Sequence, residues 1–289
     1  MKIQEQAPAP AKINLALDIL GRRTDGYHEL RMVMQSVSLC DTVIVEETGV
    51  GFTLLADGFA VPAGKSSLEQ QAAEAFFAAV GRPMPPLTVH LEKTTPAYAG
   101  LGGGSADVAA LLRCLRRRYA PEIPVEQLRS IGLTVGSDMP FCVSGGTALA
   151  EGRGERLTAL PALPDCWIVL CKPEFGIPTP ALFALADAVA PKNRPDIDGM
   201  IRALSAGDLD GVAARLCNVF EEFLPEEYHE VFHIRNRLLE LGALNAAMSG
   251  SGPTVFGIFR EKTAAKAAET ALKQRYLQTY LAKPVGKLV

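Results

Sequence analysis

Gly100-Leu101-Gly102-Gly103-Gly104-Ser105-Ala106-Asp107 holds four glycines in five positions and leads directly into an apolar-periodic run, Val108 to Tyr119. Glycine permits positive φ and lets backbone amides approach a ligand closely. A helix N-terminus adds orphan N–H donors and a partial positive charge. Together these features make a phosphate cradle. A tight structural turn is the plainer reading, but one glycine would serve that purpose. Two familiar phosphate fingerprints fail here. A GxGxxG pattern needs glycine where Ser105 and Asp107 stand. A Walker A loop ending in Gly64-Lys65-Ser66 needs glycine where Phe59 stands, so Gly64 to Ser67 reads as a loop leading into a helix cap.

Outward from that loop, the chain has ordinary globular composition. It has 289 residues, is 48% hydrophobic and 21% charged, and carries a net charge of −3. That balance gives no electrostatic footprint for nucleic acid or an anionic membrane. No apolar run approaches the ~18 residues of a membrane span, and Met1 to Asp18 lacks a signal-like apolar core. A cytoplasmic protein with six free thiols is expected. The oligomeric state is left open.

The periodicities mix strands and helices without strict alternation. Strands are expected at Ala11–Leu20, Met32–Leu39, Thr42–Glu47, Phe52–Ala56, Leu87–Glu92, Thr147–Ala150, Trp167–Cys171, Thr254–Phe259 and Gln278–Lys283. Helices are expected at Ser67–Val80, from about Ser105, and at Val125–Ile131, Thr179–Val189, Asp196–Leu204, Leu209–Leu216, Glu226–Leu241 and Thr263–Tyr276. Adjacent strands near the N-terminus favour antiparallel pairing and an α+β fold. A change of texture near residue 155 divides the chain into 1–155 and 156–289, with the strand near Tyr280 free to rejoin the first unit. Alternation in the first strand puts Lys12, Asn14, Ala16 and Asp18 on one face, and Ile13, Leu15, Leu17 and Ile19 on the other.

Taken singly, most polar candidates have bland readings. Lys12 reads as an edge lysine snorkelling to water, and Asp138 as a turn or cap residue. Asp25-Gly26-Tyr27-His28 is a turn whose rings are as well explained by strand packing as by ligand stacking. Ser249-Gly250-Ser251-Gly252 suits either a plain connection or backbone lining a polar ligand. His229-Glu230-Val231-Phe232-His233 formally matches HExxH. It is a decoy by context, on a solvent-facing helix with no third ligand in a suitable spacing. Arg116-Arg117-Arg118 suits a helix C-terminus.

As an ordered set the motifs say more. Pro10-Ala11-Lys12-Ile13-Asn14-Leu15, then Pro96 through Ala106, then Ser249-Gly250-Ser251-Gly252 resemble the three motifs of the GHMP kinase superfamily. Asp25 to Leu30, Gly136 to Phe141 and Ile177-Pro178-Thr179-Pro180 extend the resemblance from about Pro10 to Phe256. They place it nearest the branch that acts on 4-diphosphocytidyl-2-C-methyl-D-erythritol. The resemblance implies a two-domain α+β GHMP kinase fold with the active site in the inter-domain cleft. It implies transfer of the ATP γ-phosphoryl to the 2-hydroxyl of that small molecule, on the non-mevalonate route to isoprenoid precursors. ATP would come with Mg²⁺, and no metal would be bound by the protein itself. By position, Asp138 matches the general base and Lys12 the lysine that stabilises developing charge. Lys93, Pro96, Ala97, Tyr98, Ala99, Gly100, Leu101, Gly102, Gly103, Gly104, Ser105 and Ala106 match the ATP site. Asn14, Tyr27, His28, Phe183, Gly250 and Gly252 match the acceptor site. Three positions depart from the family's habit. Tyr98 stands for a small residue, so its ring is expected to point away from the nucleotide. Ala106 stands for a second serine, and Ser67 for an asparagine near the adenine. Kinases of the homoserine or mevalonate type, and an inactive regulator on the same fold, are the alternatives. The rings at 27, 28 and 183 argue against the first, and the presence of both Lys12 and Asp138 against the second.

Overall fold

A computed structural model describes residues 4–48, 50–57, 67–189 and 191–289. Two long strands dominate the first half, β1 (Gln4–Arg22) and β2 (His28–Glu46). They pair antiparallel along almost their whole length. Next come β3 (Phe52–Asp57), α1 (Leu68–Ala79), β4 (Leu87–Glu92), α2 (Gly103–Tyr119), α3 (Val125–Leu133) and α4 (Met139–Ser144). The hairpin β5 (Thr147–Gly152) and β6 (Arg156–Ala159) closes this part. The second half runs β7 (Trp167–Lys172), α5 (Thr179–Ala188), α6 (Ile197–Ala206), α7 (Leu209–Ala213), β8 (Cys217–Asn218), α8 (Glu230–Glu240), β9 (Asn245–Met248), β10 (Val255–Phe259), α9 (Lys262–Lys273) and β11 (Gln278–Ala282).

A seven-stranded sheet follows the order β3-β4-β2-β1-β8, with β5 on β2 and β6 on β5. A four-stranded sheet follows β11-β7-β10-β9. The fold is α+β, as the antiparallel N-terminal pattern foretold. The division expected near residue 155 falls inside the β5–β6 hairpin, so the chain leaves the first sheet only after Ala159. The strand near Tyr280 stays in the second sheet, paired with β7. The tail beyond it is what crosses over, with Val285 N–H donating to Ser36 O (2.9 Å) and Leu288 N–H to Ser144 O (2.8 Å).

Two apolar clusters hold these layers together. One packs α1 and α2 on the first sheet, where every residue from Ala106 to Leu115 of α2 is buried. The other lies between the sheets and gathers Ile13, Leu15, Val33, Ile168, Leu170, Phe256 and Ile258 with α6. Simple alternation fails in β1 because Leu15 is an extra residue between the pairs Asn14↔Met34 and Ala16↔Val33. A bulge of this kind switches which residues face which side. Ala16 therefore joins Ile13 and Leu15 between the sheets, while Leu17 and Ile19 join the other cluster.

Other local readings are revised as well. The two strands expected at 32–39 and 42–47 are one strand. A register irregularity opposite Pro10 to Lys12 accounts for the apparent break. The helix expected at 226–241 begins as a 3-10 turn, Glu226–Tyr228, before α8. Ser67 caps α1 by accepting from Gln70 N–H (3.1 Å), whereas Gly64, Lys65 and Ser66 lie outside the described residues. Among the described residues, no helix is long and apolar enough to cross a membrane.

Candidate active site

Three motif segments, the Lys12 strand and two glycine-bearing loops, meet at the glycine loop. Lys12 N–H donates to Leu101 O (2.9 Å), Thr254 N–H to Ala99 O (3.3 Å), and the Ser249 hydroxyl to Gly100 O (3.0 Å). Gly100 has φ +73, and a Cβ there would lie 2.1 Å from Ser249 O. No side chain fits such a gap. Asn218, on β8, completes the frame by donating to Met248 O and Gly250 O (2.8 Å each).

On the nucleotide side, α2 has Gly102, φ +66, as its N-cap, which offers no side-chain cap. Its first hydrogen bond is donated by Ala106 to Gly102 O (2.8 Å). The amides of Gly103, Gly104 and Ser105 thus precede the helical ladder and are orphan donors. A cavity of about 340 Å³ lies over them, lined by Lys93, Pro96, Ala97, Tyr98, Ala99, Leu101, Gly102, Gly103, Gly104 and Ser105. A Cβ on Gly104 would meet nothing within 4 Å, so the backbone there borders open space on the cavity side. Tyr98 lines this cavity and is 70% exposed, and it is the one non-glycine with positive φ among the described residues.

Behind the loop sits a buried charge cluster. Lys93 Nζ bonds Asp41 Oδ2 (2.5 Å) and Asp107 Oδ2, while Asp41 Oδ1 accepts the amides of Thr94 and Thr95 (2.6 Å each). Asp107 Oδ1 and Thr95 Oγ1 are buried without a partner among the described residues. Burial, offset in part by Lys93 but reinforced by the charge of Asp41, pushes the Asp107 carboxyl up to about 7. One lysine serves two buried carboxylates, so one of them is held poorly ionised.

On the acceptor side, a larger cavity of about 750 Å³ is lined by Lys12, Asn14, Tyr27, His28, Gly100, Asp138, Phe183 and Gly250 among others. It shares Gly102 and Ser105 with the nucleotide cavity, so the two meet at the start of α2. Lys12 is buried, and its Nζ lies 2.8 Å from Asn14 Oδ1 and 3.6 Å from Asp138 Oδ2. Asp138 precedes α4 without capping it, which leaves its carboxylate, one-third exposed, open to the cavity. At the far end His28 stacks on Phe183 (centroids 4.4 Å apart, 20° between planes), and Phe183 meets Phe220 edge-on. Asp187 accepts from His28 Nε2 (2.8 Å).

Two expected contributors do other work. The Ala106 methyl lies in the core and its amide is spent on Gly102, so it has nothing to offer a phosphate. Gly252 is absent from the acceptor cavity. Its N–H closes a turn on Ser249 O (2.9 Å), and a Cβ would strike Met248. Ser251 lines the cavity instead, with its hydroxyl 2.7 Å from that of Thr179. Gly100 faces the acceptor rather than the nucleotide cavity. Glu230 of the HExxH match is engaged by the Tyr276 hydroxyl and by Arg275 (2.7 Å). Sequence reading missed Met32, whose sulfur lies 3.1 Å from Asn14 Nδ2, and also Arg153 and Asp187. Gly152-Arg153-Gly154 could have marked Arg153 as a presented side chain. Asp187 carries no such signal.

Residues 67–146 match the GHMP kinase N-terminal domain and residues 200–278 the GHMP kinase C-terminal domain. The 4-diphosphocytidyl-2-C-methyl-D-erythritol kinase of Listeria monocytogenes is 40% identical over 281 residues, covering 96% of this chain and 94% of that protein. The protein of the same name from Moorella thermoacetica is 40% identical over 279 residues, covering 96% and 97%. A crystal structure of a 4-(cytidine 5'-diphospho)-2C-methyl-D-erythritol kinase superposes with a TM-score of 0.81 at 33% identity, over 98% of this chain and 100% of that one. A homoserine kinase from Cytophaga hutchinsonii shares the fold alone, with a TM-score of 0.76 at 17% identity over 99% and 96% of the two chains. The protein is an ATP-dependent small-molecule kinase of the GHMP class. Within that class the chain belongs to the family of 4-diphosphocytidyl-2-C-methyl-D-erythritol kinases.

Proposed function

We propose that this kinase phosphorylates the 2-hydroxyl of 4-diphosphocytidyl-2-C-methyl-D-erythritol, the compound in its relatives' names. The observation that carries this reading is the meeting of two cavities at Gly102 and Ser105, with Lys12 and Asp138 beside the junction and aromatic rings at the far end. Phosphoryl transfer asks for positioning and electrostatic stabilisation more than for covalent chemistry. The amides of Gly103, Gly104 and Ser105 would hold the triphosphate at the helix N-terminus. Asp138 would take the proton of the 2-hydroxyl as its oxygen forms a bond to the γ-phosphorus. The bond from that phosphorus to the β-bridging oxygen would break, and ADP would leave with the electron pair. Lys12, 3.6 Å from Asp138, would offset the charge gathering on the attacking oxygen. Tyr27, His28 and Phe183 would take the cytosine. Mg²⁺ would be carried by the triphosphate, which needs no protein cage. Among the described residues no group of three His, Cys, Asp or Glu could hold a metal.

The reading is tested by ADP release with a panel of acceptors. Turnover is expected with the cytidine diphosphate compound and not with homoserine or mevalonate. The reverse pattern would refute it.

A further inference from the structure

The acceptor cavity carries a cation that the transfer chemistry leaves unused. Lys12, Arg22 and Arg153 all line it. Lys12 faces Asp138 and Arg22 faces Asp187, each at 3.6 Å. Arg153 has no carboxylate within ion-pair distance of its guanidinium among the described residues, which instead lies over the Tyr27 ring, 4.6 Å from its centroid. Asp25 feels the charge of Arg153, but that carboxylate is bonded to Arg23 and to the Tyr27 amide. Two of the three cations are therefore balanced within the cavity wall, and one is not.

The backbone presents Arg153 deliberately. It lies between Gly152 (φ +74) and Gly154 (φ +111), and its own N–H donates to Glu155 Oε2 (2.5 Å). Glu29 ties this turn to the β1–β2 turn by accepting from Arg23 (2.5 Å) and Arg156 (2.7 Å). That tie is what brings Arg153 and Tyr27 together. Gly154 is close to the base, since a Cβ there would lie 3.9 Å from Asp138 Oδ1. Arg153 thus hangs between the ring-lined end of the cavity and the Lys12–Asp138 end.

We propose that Arg153, stacked on Tyr27, holds the diphosphate of the acceptor. The inference rests on the substrate proposed above. That molecule carries a base at one end, the reacting hydroxyl at the other and a diphosphate between them. A guanidinium offers phosphate a planar fork of donors, and a ring platform limits the freedom lost on binding. The diphosphate is equally charged before and during transfer, so the interaction is uniform binding. Its loss should raise KM and spare kcat.

Wild-type turnover of the cytidine diphosphate compound is measured first, and its absence would remove both the substrate reading and this inference. Given that turnover, R153Q is expected to raise KM for the acceptor at least tenfold. Its kcat should stay within threefold, and KM for ATP should be unchanged. R153K keeps the charge without the fork and should recover part of the loss. Unchanged acceptor KM in R153Q, or a loss confined to kcat, would overturn the role of Arg153 while leaving the substrate reading intact. A second measurement needs no variant. The wild-type acceptor KM should rise with ionic strength, and a KM indifferent to salt would overturn the inference.

Discussion

At the scale of single residues, Asp138 and Lys12 show how position rather than type makes a reactive group. Neither is informative alone, and the sequence offers a cap and a snorkelling lysine as sufficient explanations. Lys12 is packed against Gly102 and Gly250, where a Cβ would lie 3.0 and 3.2 Å from it, so its ammonium is held at the cavity wall rather than extended to the protein surface. D138N is expected to lower kcat by about 10²–10⁴-fold, the usual worth of general-base catalysis, with an unchanged melting temperature. Single-turnover kinetics would check it, and near-normal rates would remove Asp138 from the proton transfer. Gly100 and Gly104 make a paired test. G100A forces a Cβ into Ser249 O and should cost about 2 kcal/mol or more, as strain and lost contacts do. G104A has room in the fold and should spare stability while raising KM for ATP. Denaturant titration and initial rates separate the two outcomes.

Asp107 gives a pH prediction with a definite sign. Its folded carboxyl, at about 7, lies above the ordinary aspartate value. The folded state therefore binds the proton more tightly than the unfolded state does. Its contribution to stability is full below pH ~4 and is lost as pH rises through about 7. D107N removes that titration, so its stability relative to wild type should rise across this window. Parallel pH profiles of stability for the two proteins would contradict the assignment.

At the scale of elements, what sequence reading caught and missed follows from how local the cause is. Hydrophobic period and Ser67 announce α1, and the glycine run announces α2, because these signals lie within the segment itself. The Leu15 bulge is different. It depends on the register with β2, and no residue in β1 alone encodes it. Strands β8 and β9, of two and four residues, are too short for alternation to speak. The orientation of α4, which carries Asp138 at its start, is likewise set from elsewhere. Arg113, buried in α2, donates to Cys142 O (2.7 Å) in α4 and to Pro8 O (2.5 Å) in β1. Burial lowers its pKa to about 10, so the charge persists at neutral pH. R113M would leave those carbonyls unpaired, at about 1–3 kcal/mol each. Chemical denaturation should show that loss, accompanied by a lower kcat as Asp138 drifts.

At the scale of the whole molecule, the acceptor cavity exists because both halves of the chain contribute to its wall, whereas the nucleotide cavity is lined by the first half alone. The glycine loop and β1 come from the first half, and Phe183, Phe220 and Gly250 from the second. The order and spacing of the three motifs, two of them glycine-rich, made this architecture legible in advance. The division of labour within it was less so, since Ala106 and Gly252 sit in the motifs yet serve the backbone. The tail is a second tie between the halves, bonded at Ser36 and Ser144 and packed by Leu288 against Gly145. Its anchor at Ser144 lies at the end of α4, six residues beyond Asp138.

The identity of the phosphorylated atom tests the proposed function most directly. The acceptor's C2 bears a methyl group and a hydroxyl but no hydrogen. Phosphorus NMR of the reaction of ATP with the cytidine diphosphate compound should therefore show a new phosphomonoester without three-bond proton coupling, growing in step with ADP. A proton-coupled phosphomonoester, or ADP formed without any new ester, would contradict transfer to the 2-hydroxyl.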